Sequence, residues 1–265
     1  MTVGSATPTT IVYASLDQPN EKLLALLFAA EALRREGARR LVLVAPYLCY
    51  MRQDAVFRHG EAVSQRVIGR LINNTFDRIV TVDAHLHRTA ALQSIFPDIE
   101  ADNISAMPAI AEALAAGSLD ASTVVVGPDA ESRPWVSDIA GRLGLTHAVA
   151  QKTRRSDRSV VISFSNPSVF AGRPILLVDD IVSSGGTLIA CAKELAAAGA
   201  IAIDAVIIHA LFPAQMLAAF DEAGIRSVRS THSVPHPTNA FPLDDLLAAA
   251  LRKETTGTPV ELRPT

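Results

Sequence analysis

This sequence of 265 residues has few cysteines, few aromatic residues and no strong excess of charge. Its two cysteines, Cys49 and Cys191, cannot form the disulfide framework of a small secreted domain, and both stand among apolar residues. We therefore expect buried thiols in a reducing compartment. The formal net charge of −3 lacks the basic excess typical of nucleic-acid-binding proteins, so we expect no nucleic-acid partner.

Long apolar runs are also missing. A transmembrane helix needs about 20 consecutive apolar residues, and no segment of the sequence provides them. The segment Met1–Thr10 has neither the basic region nor the apolar core of a signal peptide. We therefore expect a cytoplasmic protein that makes no membrane contact.

The sequence does contain a regular alternation of strand-like and helix-like segments. Apolar residues recur at helical spacing, as at Leu23, Leu27 and Ala30, and short apolar runs such as Leu41–Pro46 follow. This alternation predicts an α/β fold of mainly parallel sheets flanked by helices. A second series of strands and helices begins near Asp102–Ser105, so we predict two domains, 1–104 and 105–265.

The most informative stretch is an apolar run, Ile175–Val178, that ends in two adjacent carboxylates. A loop of small residues follows the carboxylates and leads into a helical pattern. In chain order, these loop and carboxylate residues are Asp179, Asp180, Ser183, Ser184, Gly185, Gly186 and Thr187. A helix that begins at a strand end presents free backbone N–H groups, and glycine allows close approach to an anion. The pattern predicts a phosphate site whose carboxylates can bind sugar hydroxyls or Mg²⁺.

Further polar residues follow the other predicted strands. Ligands of parallel sheets bind beyond the carboxyl ends of the strands, which makes these residues candidates for the site. In chain order they are Arg52, Gln53, Asp54, His85, Asp129, Lys152 and Arg154. Taken singly, such residues are typical of solvated surface charges or helix caps. Their occurrence at successive strand ends favours a functional interpretation.

In this order the segments resemble the ribose-phosphate diphosphokinase family, the synthases of 5-phosphoribosyl 1-diphosphate (PRPP). The segments that carry the resemblance are Pro46–Asp54, Phe57–Glu61, Thr81–His85, Pro128–Ala130, Lys152–Arg154 and Asp179–Thr187. The resemblance implies two phosphoribosyltransferase-like domains. It also implies transfer of diphosphate from ATP to C1 of ribose 5-phosphate, with release of AMP. Self-association is implied as well, because the family builds its active site between subunits.

The resemblance assigns nucleotide and metal roles to residues of the first predicted domain and to one aspartate of the second predicted domain. Arg52, Gln53 and Asp54 resemble the ATP-binding residues of the family. His85 and Asp129 resemble its Mg²⁺ site. Because an arginine can bind phosphate oxygens in a fork geometry, the assignment of Arg52 agrees with its chemistry.

The resemblance assigns the remaining roles to the second half. Lys152 and Arg154 resemble the catalytic residues that stabilise charge on the transferred group. The stretch Asp179–Thr187 resembles the ribose-5-phosphate loop, in which the carboxylates hold ribose hydroxyls and the small residues hold the 5-phosphate.

Relative to the family, this sequence starts late, since no Phe-Ser-Asp-Gly-Glu-like segment precedes Ile11. We expect an N-terminal domain that is truncated at its start and an adenine pocket that lacks a wall. An alternative is therefore a non-catalytic relative that binds sugar phosphate and regulates a full-length homologue. A third possibility is a phosphoribosyltransferase that consumes PRPP, which the shared loop favours and Arg52–Asp54 and His85 disfavour.

Overall fold

The structure is a computed structural model, and it describes residues 2–117, 119–156 and 159–255. The strands of this part of the chain are β1 Thr9–Tyr13, β2 Arg40–Ala45, β3 Arg78–Val82, β4 Glu100–Ile104, β5 Val124–Gly127, β6 Thr146–Val149, β7 Gln151–Ser156, β8 Ser159–Ser163, β9 Pro174–Val182, β10 Ala202–Ala210, β11 Ile225–Thr231 and β12 Asn239–Phe241. Its α-helices are α1 Pro19–Arg35, α2 Ser64–Asn73, α3 Met107–Ala115, α4 Arg133–Leu143, α5 Gly186–Ala197, α6 Met216–Glu222 and α7 Asp244–Thr255. None of these helices is long and apolar enough to cross a bilayer.

The described residues form two compact units. The first comprises the chain up to Ser105 together with helix α7, and the second runs from Ala106 to Leu243. The first division lies one residue beyond the predicted boundary between 1–104 and 105–265. The structure differs from the prediction in the last helix, which was expected in the second domain and packs with the first unit instead.

The first unit is built on a parallel sheet with the strand order β1-β2-β3-β4. Every residue of β2 and β3 is buried, because helices cover both central strands. Helix α1 contributes Leu23, Leu26 and Ala30 to the core, and α2 contributes Ile68 and Ile72. Their spacing of three or four residues places these side chains on one helix face.

The second unit contains a six-stranded parallel sheet with the order β12-β11-β10-β9-β5-β6. Strands β9 and β10 form its centre. Helices α5 and α6 share one apolar core with these strands, to which Leu188, Leu195 and Phe220 contribute. A separate antiparallel hairpin pairs β7 with β8. The predicted fold class, mainly parallel sheets flanked by helices, is confirmed.

Sequence patterns did not indicate β4, β11 and β12, nor the strand that contains Lys152 and Arg154. Strand β4 reads Glu-Ala-Asp-Asn-Ile, which is too polar for the pattern of a buried strand, and it lies at the edge of its sheet. Lys152 and Arg154 lie in β7, which pairs with β8. Each of these strands is defined by its pairing with another strand more than by its own residues, so local propensity did not indicate it.

Buried ion pairs explain why α7 belongs to the first unit. Its Glu254 accepts hydrogen bonds from Arg40 Nε at 2.8 Å and from Arg78 Nη1 at 2.8 Å. The side chains of Glu254 and Arg78 are each only 2% exposed. Arg78 also donates from Nη2 to Asp102 Oδ2 at 2.5 Å and to the carbonyl oxygen of Ala250 at 2.9 Å. We call Arg40, Arg78, Asp102 and Glu254 the arginine clamp.

Breaking the arginine clamp should destabilise the first unit. Glu254→Gln removes the anion between two buried guanidinium groups, and loss of one partner of a buried ion pair costs about 3 kcal/mol. The matched control is Lys253→Met, because Lys253 pairs with Glu100 at the surface, and exposed pairs contribute less than about 1 kcal/mol. Urea unfolding followed by circular dichroism measures both. Equal losses of stability in the two variants would contradict a stabilising role for the arginine clamp.

The arginine clamp also predicts a pH dependence. The hydrogen bond from Arg40 lowers the pKa of Glu254 below its ordinary value of 4.5, although burial acts in the opposite direction. A carboxyl with a lowered folded-state pKa contributes stability that is present above its unfolded pKa and lost as the pH falls through the folded value. We expect acidification below about pH 4.5 to destabilise the wild type more than Glu254→Gln. Parallel stability–pH curves from pH 7 to 3 would contradict this.

Candidate active site

The carboxyl edge of the six-stranded sheet carries three predicted site residues of the second unit, Asp129, Asp179 and Asp180. Along the chain, the sheet grows from β5 to β6 on one side and from β9 through β10 to β12 on the other. The loops after β5 and β9 therefore diverge, and a crevice forms between such loops. Asp129 follows β5, and Asp179 and Asp180 lie near the end of β9.

The two adjacent carboxylates of β9 differ in burial. Asp180 is 4% exposed and Asp179 is half-buried. Asp179 Oδ1 accepts the backbone N–H of Asp180 at 3.1 Å, and Asp180 Oδ1 accepts that of Ile181 at 2.8 Å. These bonds hold each carboxyl group close to its own backbone. Both side chains therefore have restricted orientations before any ligand arrives.

The turn between β9 and α5 requires glycine at position 185. Gly185 has a φ of +70°, in the left-handed region that side chains disfavour. A Cβ at this position would lie 2.6 Å from Cε1 of the Phe220 ring, which is fully buried. Backbone conformation and packing therefore both exclude a larger residue.

Helix α5 begins directly after this turn. Gly186 is its first residue, Gly185 is its N-cap, and its first turn carries no acidic side chain. Ser183, Ser184 and Gly186 are exposed around this terminus. The first N–H groups of a helix have no partner within the helix, and the helix dipole favours an anion there. This arrangement can bind a phosphate group.

Asp129 and Lys152 form an ion pair in the same unit. Lys152 Nζ lies 2.9 Å from Asp129 Oδ2, and the two side chains are 21% and 17% exposed. The other carboxylate oxygen of Asp129 accepts the backbone N–H of Glu131 at 3.1 Å. The structure thus brings together two residues whose sequence positions are 23 apart.

Sequence reasoning missed two residues that position Asp129. Gly127 ends β5, and a Cβ there would lie 2.0 Å from Ser132 Oγ. The hydroxyl of Ser132 donates to the backbone carbonyl oxygen of Asp129 at 2.6 Å. Gly127 therefore leaves room for the serine that fastens this turn. The glycine directly before Pro128 was the available sequence signal.

Cys191 of α5 is a buried thiol whose pKa is raised. Burial raises its pKa, and the negative charges of Asp179, Asp129 and Glu194 raise it further. Asp129 lies in the turn after β5, and Asp179 lies within β9. Carboxylate oxygens are the donors that Mg²⁺ prefers, so this donor set fits a hard cation.

Arg154 lies in β7, and its side chain is outside the described part of the chain. The backbone of β7 pairs Arg154 with Val160 of β8. Its predicted role therefore remains a prediction.

The predicted nucleotide residues of the first unit follow β2. Arg52 is exposed, whereas Gln53 is half-buried and its Oε1 accepts a hydrogen bond from Ser64 Oγ at 2.7 Å. Asp54 Oδ1 accepts one from Arg88 Nη1 at 2.7 Å. The guanidinium of Arg88 also lies 5.0 Å from the centre of the Phe57 ring. Arg88, which sequence reasoning did not select, therefore neutralises Asp54.

His85 follows β3 and contacts a second histidine. Its ring meets that of His87 edge to face, with the ring centres 4.0 Å apart and the planes at 87°. Both side chains are half-buried. The sequence analysis assigned no role to His87, and its spacing of two residues from His85 was the available signal. Imidazole nitrogens are possible metal ligands, so His87 joins the candidate residues.

Among the described residues of the first unit, two that are not glycine have left-handed backbone conformations. Tyr50 has a φ of 62° and Asp83 a φ of 39°. They lie in the segments that follow β2 and β3, next to the predicted residues Arg52 and His85. The hydroxyl of Tyr50 donates to Asn20 Oδ1 at 2.6 Å. Strained residues of this kind concentrate at functional sites, which agrees with the placement of the candidates.

Comparisons with known proteins agree with this architecture. Residues 7–75 match the family model described as the N-terminal domain of ribose phosphate pyrophosphokinase, and residues 100–245 match the phosphoribosyl transferase domain. A ribose-phosphate pyrophosphokinase of Methanopyrus kandleri is 32% identical over 230 residues, which cover 86% of this chain and 77% of that protein. The chain belongs to the ribose-phosphate pyrophosphokinase family.

Other members of the pyrophosphokinase family extend the match. Ribose-phosphate pyrophosphokinase 2 of Archaeoglobus fulgidus is 32% identical over 238 residues, which cover 90% of this chain and 82% of that protein. The crystal structure of phosphoribosylpyrophosphate synthetase from Mycobacterium smegmatis superposes with a TM-score of 0.79 at 27% identity. It covers 94% of this chain and 83% of the other. The predicted family and its phosphoribosyltransferase-type fold are confirmed.

The glycine turn gives a test of the site geometry in this pyrophosphokinase relative. Gly185→Ala should destabilise the protein by about 1–2 kcal/mol from the left-handed backbone alone, with the Phe220 contact adding to that cost. The matched control is Gly186→Ala, since the nearest atom to a Cβ there is Ser184 Oγ at 3.9 Å. Alanine in a helix should be neutral or stabilising by about 1 kcal/mol. Urea unfolding monitored by Trp135 fluorescence measures the stability of both variants. Equal stabilities would contradict the requirement for glycine at position 185.

Proposed function

We propose that this protein is a ribose-phosphate diphosphokinase, which transfers diphosphate from ATP to C1 of ribose 5-phosphate and releases PRPP and AMP. The observation that carries the proposal is the β9–α5 turn. Two oriented carboxylates, a left-handed glycine and an exposed helix N-terminus occur together in a member of the pyrophosphokinase family. The ribose hydroxyls and the 5-phosphate of the sugar substrate match these groups in chemistry.

In the proposed reaction, the C1 oxygen of ribose 5-phosphate attacks the β-phosphorus of ATP. The bond between that phosphorus and the α–β bridging oxygen breaks, AMP leaves with the oxygen, and the C1 hydroxyl releases its proton. Transfer of this kind needs in-line positioning and neutralised phosphate oxygens more than covalent catalysis. In our assignment the Asp179–Thr187 turn supplies positioning, and Lys152 and Arg154 supply positive charge.

We assign ATP binding to Arg52, Gln53 and Asp54, and Mg²⁺ binding to His85 and Asp129. When bound, Mg²⁺ would neutralise charge on the phosphate oxygens. The carboxylate groups of Asp129 and Asp179 are of the type that Mg²⁺ prefers, which supports a cation on the second unit. The ion pair with Asp129 orients the ammonium group of Lys152 within the same unit.

Direct detection of the products tests the reaction. Phosphorus NMR of the full chain with ATP, Mg²⁺ and ribose 5-phosphate should show AMP and PRPP appearing together. Unchanged ATP, while calorimetry still detects ribose-5-phosphate binding, would overturn catalysis and support the non-catalytic relative. Release of pyrophosphate from PRPP with a nucleobase would support the phosphoribosyltransferase instead.

Substitution of the carboxylates tests the position of the sugar. Asp179→Asn with Asp180→Asn keeps the shape of both side chains but removes their charges, and hydrogen bonds to charged groups contribute about 1.5–3 kcal/mol. We expect ribose-5-phosphate affinity to fall at least about tenfold, and affinity for α,β-methylene ATP to change little. Calorimetry measures both. Equal losses in a folded variant would place the sugar elsewhere.

Lys152→Ala tests the charge on the transferred group. A cation that acts in the transition state should affect kcat much more than KM, so we expect a loss of kcat of at least about a hundredfold. Lys193→Ala is the matched control, because Lys193 is an exposed lysine on α5. Steady-state kinetics decide between the roles. A change in KM alone would make Lys152 a binding residue.

We also propose self-association. The supporting observation is a pair of exposed apolar side chains one turn apart on α1, where Leu24 is 54% and Phe28 58% exposed. Large exposed apolar side chains in groups are typical of protein interfaces. Light scattering after size-exclusion chromatography should report an oligomer, and Phe28→Glu should weaken it. A monomer at micromolar concentration would contradict the proposal.

A further inference from the structure

The Phe220 ring that lies against Gly185 is one end of a row of three ring side chains in the second unit. It contacts the ring of Phe212 edge to face, with the ring centres 5.0 Å apart and the planes at 78°. The ring of Phe212 meets the imidazole of His236 in the same manner, at 4.4 Å and 62°. The row connects the β9–α5 turn to a histidine between β11 and β12, to which the proposed reaction assigns no role.

The two phenylalanine rings of this row lie in the core. Phe212 is 2% exposed and Phe220 is fully buried, and both share an apolar core with Leu188 of α5. Close-packed interiors transmit strain, because their side chains have little room to move. A displacement of Phe212 would therefore move the ring of Phe220, and that ring already occupies the position of a Cβ at Gly185.

A backbone hydrogen bond is a second link between Phe212 and the turn. The N–H of Leu211 donates to the carbonyl oxygen of Val182 at 2.8 Å. Val182 is the last residue of β9 and directly precedes Ser183 of the turn. Because Phe212 follows Leu211 in the chain, its position is coupled to the turn through the backbone as well as through the rings.

Hydrogen bonds determine the tautomer of His236. Its Nε2 lies 3.0 Å from the carbonyl oxygen of Phe212, and a carbonyl oxygen only accepts, so Nε2 carries the proton. In the neutral ring Nδ1 is an acceptor, and it lies 2.7 Å from the hydroxyl oxygen of Thr238. Burial lowers the pKa of His236, although the bond to Phe212 acts in the opposite direction, so the ring is mainly neutral at neutral pH.

This tautomer gives a direction to a chain of hydrogen bonds that ends at His236. Because Thr238 donates its hydroxyl hydrogen to the imidazole, its oxygen accepts the hydroxyl of Ser230 at 2.8 Å. Ser230 Oγ in turn accepts a hydrogen bond from Asn239 Nδ2 at 3.1 Å. Since Ser230 is fully buried on β11, the chain fixes the imidazole to a strand of the six-stranded sheet.

We propose that His236 is a positioning residue for the β9–α5 turn. Fixed to β11, its imidazole holds Phe212, Phe212 holds the ring of Phe220, and that ring sets the backbone at Gly185. The backbone at Gly185 directs the first N–H groups of α5. This inference rests on the proposed function, in which those groups bind the 5-phosphate of the sugar. His236 acts only through the two phenylalanines and not by contact with the substrate.

The affinities for the two substrates separate positioning from general destabilisation. Because a small displacement of a binding group weakens binding, His236→Ala should lower the ribose-5-phosphate affinity at least about threefold. The affinity for α,β-methylene ATP should remain unchanged, and calorimetry measures both. The matched control is His232→Ala, because His232 is an exposed histidine of the same segment. Equal ribose-5-phosphate affinities of the two variants would overturn the proposal.

Two conservative variants separate the hydrogen bond of His236 from its ring contact. His236→Gln retains an N–H donor for the carbonyl oxygen of Phe212 but has no ring. His236→Phe retains a ring against Phe212 but has no donor. We expect at least one of them to bind ribose 5-phosphate more tightly than His236→Ala, which identifies the contact that positions the turn. Failure of both to restore affinity would overturn the positioning role.

A measurement on the unsubstituted protein covers the case in which these variants do not fold. Because His236 is coupled to the turn, addition of ribose 5-phosphate to the full chain should shift the imidazole NMR signals of His236. The signals of His232 should not move. Unshifted His236 signals in the presence of saturating ribose 5-phosphate would overturn the proposal.

The ligand-free protein distinguishes this inference from the proposed function. The backbone amide signal of Gly185 should shift in His236→Ala and keep its wild-type position in His232→Ala. An unchanged Gly185 signal in His236→Ala would overturn the positioning role. A shifted signal in a protein whose wild type binds no ribose 5-phosphate would overturn only the proposed function.

Discussion

The second unit depends on the way the chain passes from β9 into α5. Gly185 must adopt a left-handed conformation there, and the ring of Phe220 lies where its Cβ would be. Because the turn is this tight, the two carboxylates at the end of β9 and the N-terminus of α5 face the same edge of the sheet. The same requirement links the core, through the buried Phe220, to the candidate site. Core packing and the geometry of the candidate site therefore both require glycine at position 185.

The first unit depends on a different interaction, the arginine clamp. Arg78 and Glu254 are almost fully buried, so each charge needs its partner to offset the cost of leaving water. Arg78 lies on β3 in the middle of the first-unit sheet, whereas Glu254 comes from the last helix. The arginine clamp thus fixes α7, the last helix, to the first unit. Surface pairs such as Arg142 with Asp138 have no comparable role, because water screens them.

The sequence predicted which residues lie at the strand ends better than it predicted the partners of their side chains. Asp179, Asp180 and Gly185 follow a pattern in which each residue type has a local reason, and the structure places them at the end of β9 and the start of α5. The ion pair of Asp129 with Lys152 joins the turn after β5 to β7 and had no local signal. Likewise, nothing near Asp54 in the sequence indicated its partner Arg88. Strand β4 was missed because edge strands tolerate polar residues that mask the pattern.

By itself, the sequence determined the alternating α/β architecture, the family and the residue types at the strand ends. Those features follow from local periodicity, turn chemistry and the order of the motifs, which can be identified in the sequence without the fold. Only the tertiary structure decided that α7 joins the first unit and that Lys152 lies in a paired strand. The place of α7 depends on buried ion pairs between residues far apart in the sequence, and the strand of Lys152 depends on its pairing with β8. Such interactions become specific only when the chain is folded.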